Sequence, residues 1–295
     1  MQELWFWLTN LRKLNGFRIR QKEEVVTFDC QGGSDAGGHQ VGGALVEDMV
    51  PGLDSVFKSH LTEEEKKKSS TFRELMGIKK GLMILADRLE GKRVLWNNDN
   101  WAASLIVKYG SMKPELHQLA CEIVEICKSR NIELKVEWKS RKEEQIQFCD
   151  EMSKDFDASE YKISSGDFER LRRKFGPFSV DVFASDWSHQ MTPFFSKFLC
   201  PGTAGVDAFA QDWSEGWLYC HPPIGQVYRV LRMAERSRAK GILLIPAWPS
   251  SINSVGVRQF GDKVVKVDRF RPEFECPSWW TNRFFSGDYR FDLLV

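Results

Sequence analysis

One long apolar helix stripe, arriving only after three strand-like segments, constrains this chain more than any other feature. From Ser69-Ser70-Thr71 to Leu89, the residues Leu75, Ile78, Leu82, Leu85 and Leu89 recur at i, i+3/i+4 spacing, so one side of a long helix must lie on a sheet. Ahead of it, Val25-Val26-Thr27-Phe28-Asp29 is β-branched and apolar and reads as a strand, followed by a glycine-rich loop through Gly38. Further strands are expected near His39 to Val46 and Ser55 to Leu61. After the helix come a short strand at Arg93 to Trp96, helices at Trp101 to Lys108 and Pro114 to Ser129, and the cleanly alternating strand Ile132 to Trp138. With a last helix near Glu143 to Ser153 the order is βββαβααβα, an α/β fold with helices against a mixed sheet.

The remaining segments fall on either side of that layer. Met1 to Leu14 carries aromatic and leucine positions at helical spacing and is closed by Asn15-Gly16. From Asp155 the composition shifts to Asp, Ser and Gly, which predicts a boundary around residues 155–166. Beyond it, strands at Ser179 to Ala184 and Gly241 to Pro246 flank a helix at Ile224 to Lys240, a second and smaller α/β unit. The expected division is therefore 1–22, 23–156, 167–260 and an aromatic tail at 261–295, which is rich in Trp, Phe, Pro and Asn.

Composition excludes several classes. No apolar run approaches the roughly 20 residues of a membrane helix, and Met1 to Leu8 is short and interrupted by Glu3, so the expectation is a chain of the cytoplasm or nucleus with no membrane partner. The cysteines, 7 in number, include no C-x-x-C pair, which points to neither a disulfide framework nor a zinc site. At a net charge of +1, nucleic-acid binding cannot rest on bulk charge. A local footprint such as Arg170, Arg172, Arg173 and Lys174 could serve, and a solvated helix face explains the same run. Trp187, Trp213, Trp217, Trp248, Trp279 and Trp280 are either stacking surfaces for single strands or core aromatics.

Acidic residues stand at the element ends. Asp29 closes the first strand before the glycine-rich turn, and Asp35 in Ser34-Asp35-Ala36-Gly37 competes with it for the same place. Glu74 completes a Thr71-x-x-Glu74 capping box, yet it also lies on the stripe that faces the sheet. Asp99 follows the fourth strand, where a helix N-cap would account for it alone, and Asp150 sits in the last helix among Ile146, Phe148 and Met152. Gathered by the fold, Asp29 (or Asp35), Glu74, Asp99 and Asp150 would suit divalent metal, Mg²⁺ or Mn²⁺, in two-metal phosphodiester hydrolysis. Ser70, Asn98 and Asn100 are candidate contacts to a ribose 2′-hydroxyl.

The runs Ser69-Ser70-Thr71-Phe72-Arg73-Glu74-Leu75, Leu95-Trp96-Asn97-Asn98-Asp99-Asn100, Tyr109-Gly110-Ser111, Trp138-x-x-Arg141 and Cys149-Asp150-Glu151-Met152-Ser153-Lys154 resemble the ribonuclease H region of DIRS-type retrotransposon polyproteins. Glu3-Leu4-Trp5-Phe6-Trp7 and Asn15-Gly16 are similar to the segment that joins reverse transcriptase to ribonuclease H in those elements. The resemblance spans nearly residues 1–250. It implies a ribonuclease H-like fold, cleavage of RNA in RNA–DNA hybrids, and metal-ligand roles for Asp29 (or Asp35), Glu74, Asp99 and Asp150. Departures lie at Cys30-Gln31, Ser140, Gln145 and Cys149, so an inactive nucleic-acid-binding or interaction module is the alternative. No polymerase-like Y-x-D-D pair occurs.

The second half carries Gly176-Pro177, Val180-Asp181-Val182-Phe183-Ala184-Ser185, Val206-Asp207-Ala208-Phe209 and His221-Pro222-Pro223-Ile224. It resembles the segment downstream of ribonuclease H in the same elements, which is similar to phage-type adenine methyltransferases. Their Asn/Asp-Pro-Pro-Tyr motif has lost its polar and aromatic ends here, to His221 and Ile224, which favours a structural or DNA-contacting role. A rigid strand-to-helix turn explains the two prolines equally well.

Overall fold

Glycine decides where the first strand lies. In the computed structural model, which describes residues 4–6, 8–9, 27–46, 55–157, 160–246, 266–270, 272–277 and 291–294, strand β1 runs over Cys30–Ala36. The strand expected to end at Asp29 is thus displaced; residues 27–29 precede β1, and Val25 and Val26 lie outside the described residues. The stretch read as a glycine-rich loop is itself the strand, because its glycines let neighbours approach where no side chain would fit. A Cβ on Gly32 would stand 2.9 Å from the Trp96 ring, and one on Gly42 would stand 2.6 Å from the Met152 backbone.

β1 pairs antiparallel with β2 (Gln40–Val46), and β2 pairs antiparallel with β3 (Val56–His60). A one-turn helix α1 (Glu63–Lys66), closed by a Thr62 and Glu65 capping box, leads to α2 (Ser70–Ile84) and the short α3 (Ala86–Leu89). The cap of α2 is Ser69, whose hydroxyl accepts from the Phe72 amide at 3.2 Å; the capping box expected at Thr71 and Glu74 does not form. Glu74 therefore sits inside the helix, on its sheet-facing side. β4 (Arg93–Asn98) then pairs parallel with β1 and with β5 (Glu133–Trp138), and between them come α4 (Trp101–Tyr109) and α5 (Pro114–Ser129). α6 (Glu144–Lys154) closes the unit.

The sheet order is β3-β2-β1-β4-β5, the mixed sheet that the sequence order predicts. Alternation along β1 and β2 divides its faces. Ser34 and Val41 face Gly77 of α2, whereas Gly33 and Gly42 face Gln145, Cys149 and Met152 of α6. The α2 side holds the core, in which Phe57, Leu75, Ile78, Leu82 and Trp96 are fully buried.

A second sheet follows. After β6 (Lys162–Ile163) and α7 (Ser165–Phe175) come β7 (Val180–Ala184), β8 (Phe194–Ser196), β9 (Gly205–Val206), β10 (Leu218–Cys220), α8 (Val227–Ser237) and β11 (Gly241–Pro246). The helix expected over Ile224 to Lys240 is shorter: a 3-10 turn at Ile224–Gln226 precedes it. The aromatic tail adds β12 (Lys266–Phe270), β13 (Phe274–Glu275) and β14 (Phe291–Leu294), where sequence periodicity was too weak to predict strands. The order is β12-β14-β11-β10-β7-β8-β9, with β7 to β11 parallel to one another and β14 antiparallel to β11.

The two sheets are tied together at β3. The Lys58 amide donates to the Leu199 carbonyl at 2.9 Å and the Leu199 amide to Val56 at 3.1 Å. Beside them, His60 Nδ1 lies 2.7 Å from Asp186 Oδ1 and its Nε2 lies 3.1 Å from Glu160. Burial alone would lower the imidazole pKa, but the bonds to Asp186 and Glu160 outweigh it and raise it to about 9. A raised histidine pKa stabilises the fold fully below the unfolded value of about 6.5, and the stabilisation is lost as pH rises through about 9. Thermal melting should accordingly fall between pH 6.5 and 9 in the natural chain, and the difference from His60→Gln should shrink over that window; a constant difference would contradict the clamp.

Candidate metal centre

Because β1 and β4 run parallel, in a register that pairs Gly33 with Asn97, their carboxyl ends emerge side by side. Asp35 stands near the end of one and Asp99 immediately after the other, while α2 brings Glu74 over the gap. Oxygens of the three carboxylates all lie within 4.8 Å of one another. Asp35 and Glu74 are each 5% exposed, and the Asp99 side chain 4%.

Each carboxylate is oriented by a separate donor. Ser153 Oγ donates to Asp35 Oδ2 at 2.6 Å, and Asn98 Nδ2 donates to Glu74 Oε2 at 2.9 Å. Arg141 Nε donates to Asp99 Oδ2 at 2.5 Å. Burial, followed by the charge of Asp35, pushes Glu74 up to about 8, against the smaller opposing effect of Asn98. Asp35 is also raised, by burial first and then by Asp99 and Asp150, in spite of the Ser153 hydrogen bond. Three converging carboxylates, of which Asp35 and Glu74 resist ionisation, are the donor set a hard divalent cation fits, since such an ion needs oxygen ligands and relieves the repulsion between them. Asp35, Glu74 and Asp99 would hold it.

Asp29 is not part of this group. Its Oδ2 accepts from the Arg93 amide at 2.7 Å at the opposite end of β1, six residues and about 20 Å of strand away from Asp35. Asp150 projects from α6 with both oxygens held by Lys154 Nζ, at 2.5 and 2.6 Å. It stays outside the converged group, near enough for its charge to raise Asp35.

The expected substrate contacts fare differently. Asn98 is fully buried, donating to Glu74 and to the Ser34 carbonyl and accepting from the Asn100 amide, so it braces the centre and cannot reach a ribose. Asn100 Oδ1 caps α4 through the Ala103 amide at 3.0 Å. Ser70 is exposed, one helical turn before Glu74 on the same face of α2. Ser153 escapes a sequence reading altogether: a small polar residue in a helix gives no sign of its partner until α6 is laid on β1.

The basic run of α7 is a solvated face, with Arg170 paired to Asp167 and Arg172 to Glu169, each at 3.3 Å. Trp213 is core, its indole donating to the Ala208 carbonyl, and Trp187 and Trp217 are partly buried; Trp248, Trp279 and Trp280 lie outside the described residues. None of the 7 cysteines, all among the described residues, is joined in a disulfide. No described helix is long and apolar enough to cross a membrane.

Solved structures similar to this chain include RNase H1 from the halophilic archaeon Halobacterium salinarum, 14% identical over 43% of this chain and 98% of that one, at a TM-score of 0.35. LC11-RNase H1 in complex with an RNA/DNA hybrid is 15% identical over 42% of this chain and 93% of its own length, at 0.34. The foamy viral protease-reverse transcriptase in complex with an RNA/DNA hybrid is 9% identical over 52% of this chain and 27% of its own, also at 0.34. No protein-family model matches the chain, and no curated protein matches its sequence.

A raised carboxyl pKa leaves the folded state holding a proton that the unfolded state has lost. The stability contributed is therefore full below about 4.5 and disappears as pH rises to about 8. Glu74→Gln should remove this slope and melt higher than the natural chain above pH 8 without added metal, and Mg²⁺ should raise the melting temperature of the natural chain more at pH 8 than at pH 6. A substitution that leaves the pH slope unchanged would contradict the buried-carboxyl account.

Proposed function

We propose that this is a retroelement-derived, ribonuclease H-like endonuclease that hydrolyses RNA in RNA–DNA hybrids with Mg²⁺ or Mn²⁺. The observation that carries the reading is the convergence of Asp35, Glu74 and Asp99 where β1, β4 and α2 meet. Metal bound there would activate water and stabilise the leaving oxygen. The chain's own residues supply the frame: Asn98 and Ser153 fix the oxygens of Glu74 and Asp35, and Asp150 adds charge at the rim. Ser70, exposed beside Glu74, is the remaining candidate for the 2′-hydroxyl.

A hybrid-cleavage assay with Mg²⁺ tests this. Asp35→Asn and Asp99→Asn should each lose at least about 100-fold in rate, while Ser153→Ala, acting only through Asp35, should lose about 10- to 100-fold. Asp29→Asn should cleave like the natural chain. Cleavage indifferent to Asp99→Asn would refute the assignment and leave the inactive binding module.

A second reading attaches to the other sheet. The order in which its parallel strands are laid down reverses between β7 and β10, the position at which open α/β sheets bind ligands beyond their carboxyl ends. A cavity of about 520 Å³ lies there, lined by Phe183, Phe195, Asp207, Phe209, His221 and Arg229 and, from the first sheet, by Lys58 and His60. This supports descent from a methyltransferase-like unit. Against methyl transfer stands His221, whose burial lowers its pKa to about 4 and whose ring packs on Tyr161 at 5.1 Å. The His221-Pro222-Pro223-Ile224 run is then a rigid turn into α8. Calorimetric binding of S-adenosylmethionine would restore the catalytic version, and its absence would remove it.

A further inference from the structure

Two open tryptophans neighbour Asp99, Trp101 two residues along the chain and Trp138 through a hydrogen bond to its carbonyl. Trp101, in the first turn of α4, is 63% exposed, and Trp138, the last residue of β5, is 50% exposed. Trp138 is not loose: its indole N–H donates to the Asp99 carbonyl at 2.9 Å, which fixes the ring against the end of β4 and leaves much of it in solvent. Neither ring belongs to a core cluster, so burial of apolar surface does not account for two large rings left this open beside a charged centre.

Their surroundings narrow the occupant. Trp138 opens the run Trp138-Lys139-Ser140-Arg141-Lys142, in which Arg141 and Lys142 are exposed, so aromatic surface and positive charge alternate beside the carboxylates. From Trp101, the outer side of α4 continues through Leu105 to Lys108 and Tyr109, about 12 Å along the helix. Tyr109 is 72% exposed, with Lys108 Nζ 4.8 Å from its ring centroid. A track of aromatic and basic side chains leading from an acidic metal-type centre fits a nucleic-acid strand. A base inside a duplex already stacks on its neighbours, so open indole faces select bases that are unpaired.

We infer that Trp101 and Trp138 form a stacking platform for unpaired nucleotides of the substrate, so that the centre acts where a hybrid gives way to single strand. This rests on the nuclease reading for the identity of the substrate, but it is tested by binding alone.

The test compares a short blunt RNA–DNA hybrid with the same hybrid carrying a single-stranded extension of a few nucleotides. Affinities for the full chain are measured by fluorescence anisotropy in EDTA, where metal-dependent turnover is absent. The natural chain should bind the extended form more tightly, and Trp101→Ala and Trp138→Ala should each lose about tenfold on it, the order expected for one stacked base. Both should bind the blunt form like the natural chain. Trp138→Phe, which keeps a stacking face and loses the N–H, should retain most of the affinity for the extended form. The inference is overturned if extension brings no gain, if the alanine variants bind the extended form undiminished, if no binding occurs, or if Trp138→Phe falls as far as Trp138→Ala. The nuclease reading fails separately, when the platform behaves as stated and Mg²⁺ yields no cleavage.

Discussion

The parallel pairing of β1 with β4 is the constraint on which the rest depends. It places the carboxyl ends of two strands that are distant in sequence next to each other, and Asp35 and Asp99 come with them. Closeness of that kind is unfavourable in itself, since burial raises the cost of every charge and each carboxylate opposes the ionisation of the next. The fold tolerates it because hydrogen bonds are supplied by Ser153 from α6, by Asn98 from the end of β4 itself and by Arg141 from the turn after β5. The helices and the hydrophobic core serve to hold those elements at fixed distances.

Small residues make this assembly feasible. Gly33 and Gly42 admit α6 to one face of the sheet, and Gly32 with Gly81 admits the Trp96 ring to the other. The Trp96 indole in turn donates to Ser34 at 3.0 Å, next to Asp35 in the chain. Core packing and site geometry are thus consecutive steps along one strand. Phe57, stacked obliquely 6.2 Å from Trp96, extends the same contact to β3, where His60 begins the link to the second sheet.

Much of the first layer was legible in the sequence, because its signals are periodic. The α2 stripe, the alternation of β5 and the order of elements all emerge from spacing, and Glu74 follows as a polar residue on that stripe and Asp99 as a residue at a strand end. The first ligand was harder to place. Val25 to Phe28 has the stronger local strand propensity, while among the described residues β1 is Cys30–Ala36 for a tertiary reason: only glycine allows Trp96 and α6 to approach. The strand thereby carries Asp35 near its carboxyl end and leaves Asp29 just before its start. Asn98 presents the same lesson in reverse, since a polar residue beside a candidate ligand looks like a substrate contact until burial shows it bracing Glu74. Strands β12 and β14 were unreadable because their place is set by pairing with β11 and with each other, not by any pattern of their own.

Anomalous diffraction from crystals grown with Mn²⁺ would test the central claim most directly. The account predicts a peak between the carboxylates of residues 35, 74 and 99, with oxygen ligands at roughly 2.0–2.2 Å, near the distances usual for small hard cations. A peak beside residue 29, or none at the junction of β1, β4 and α2, would contradict it.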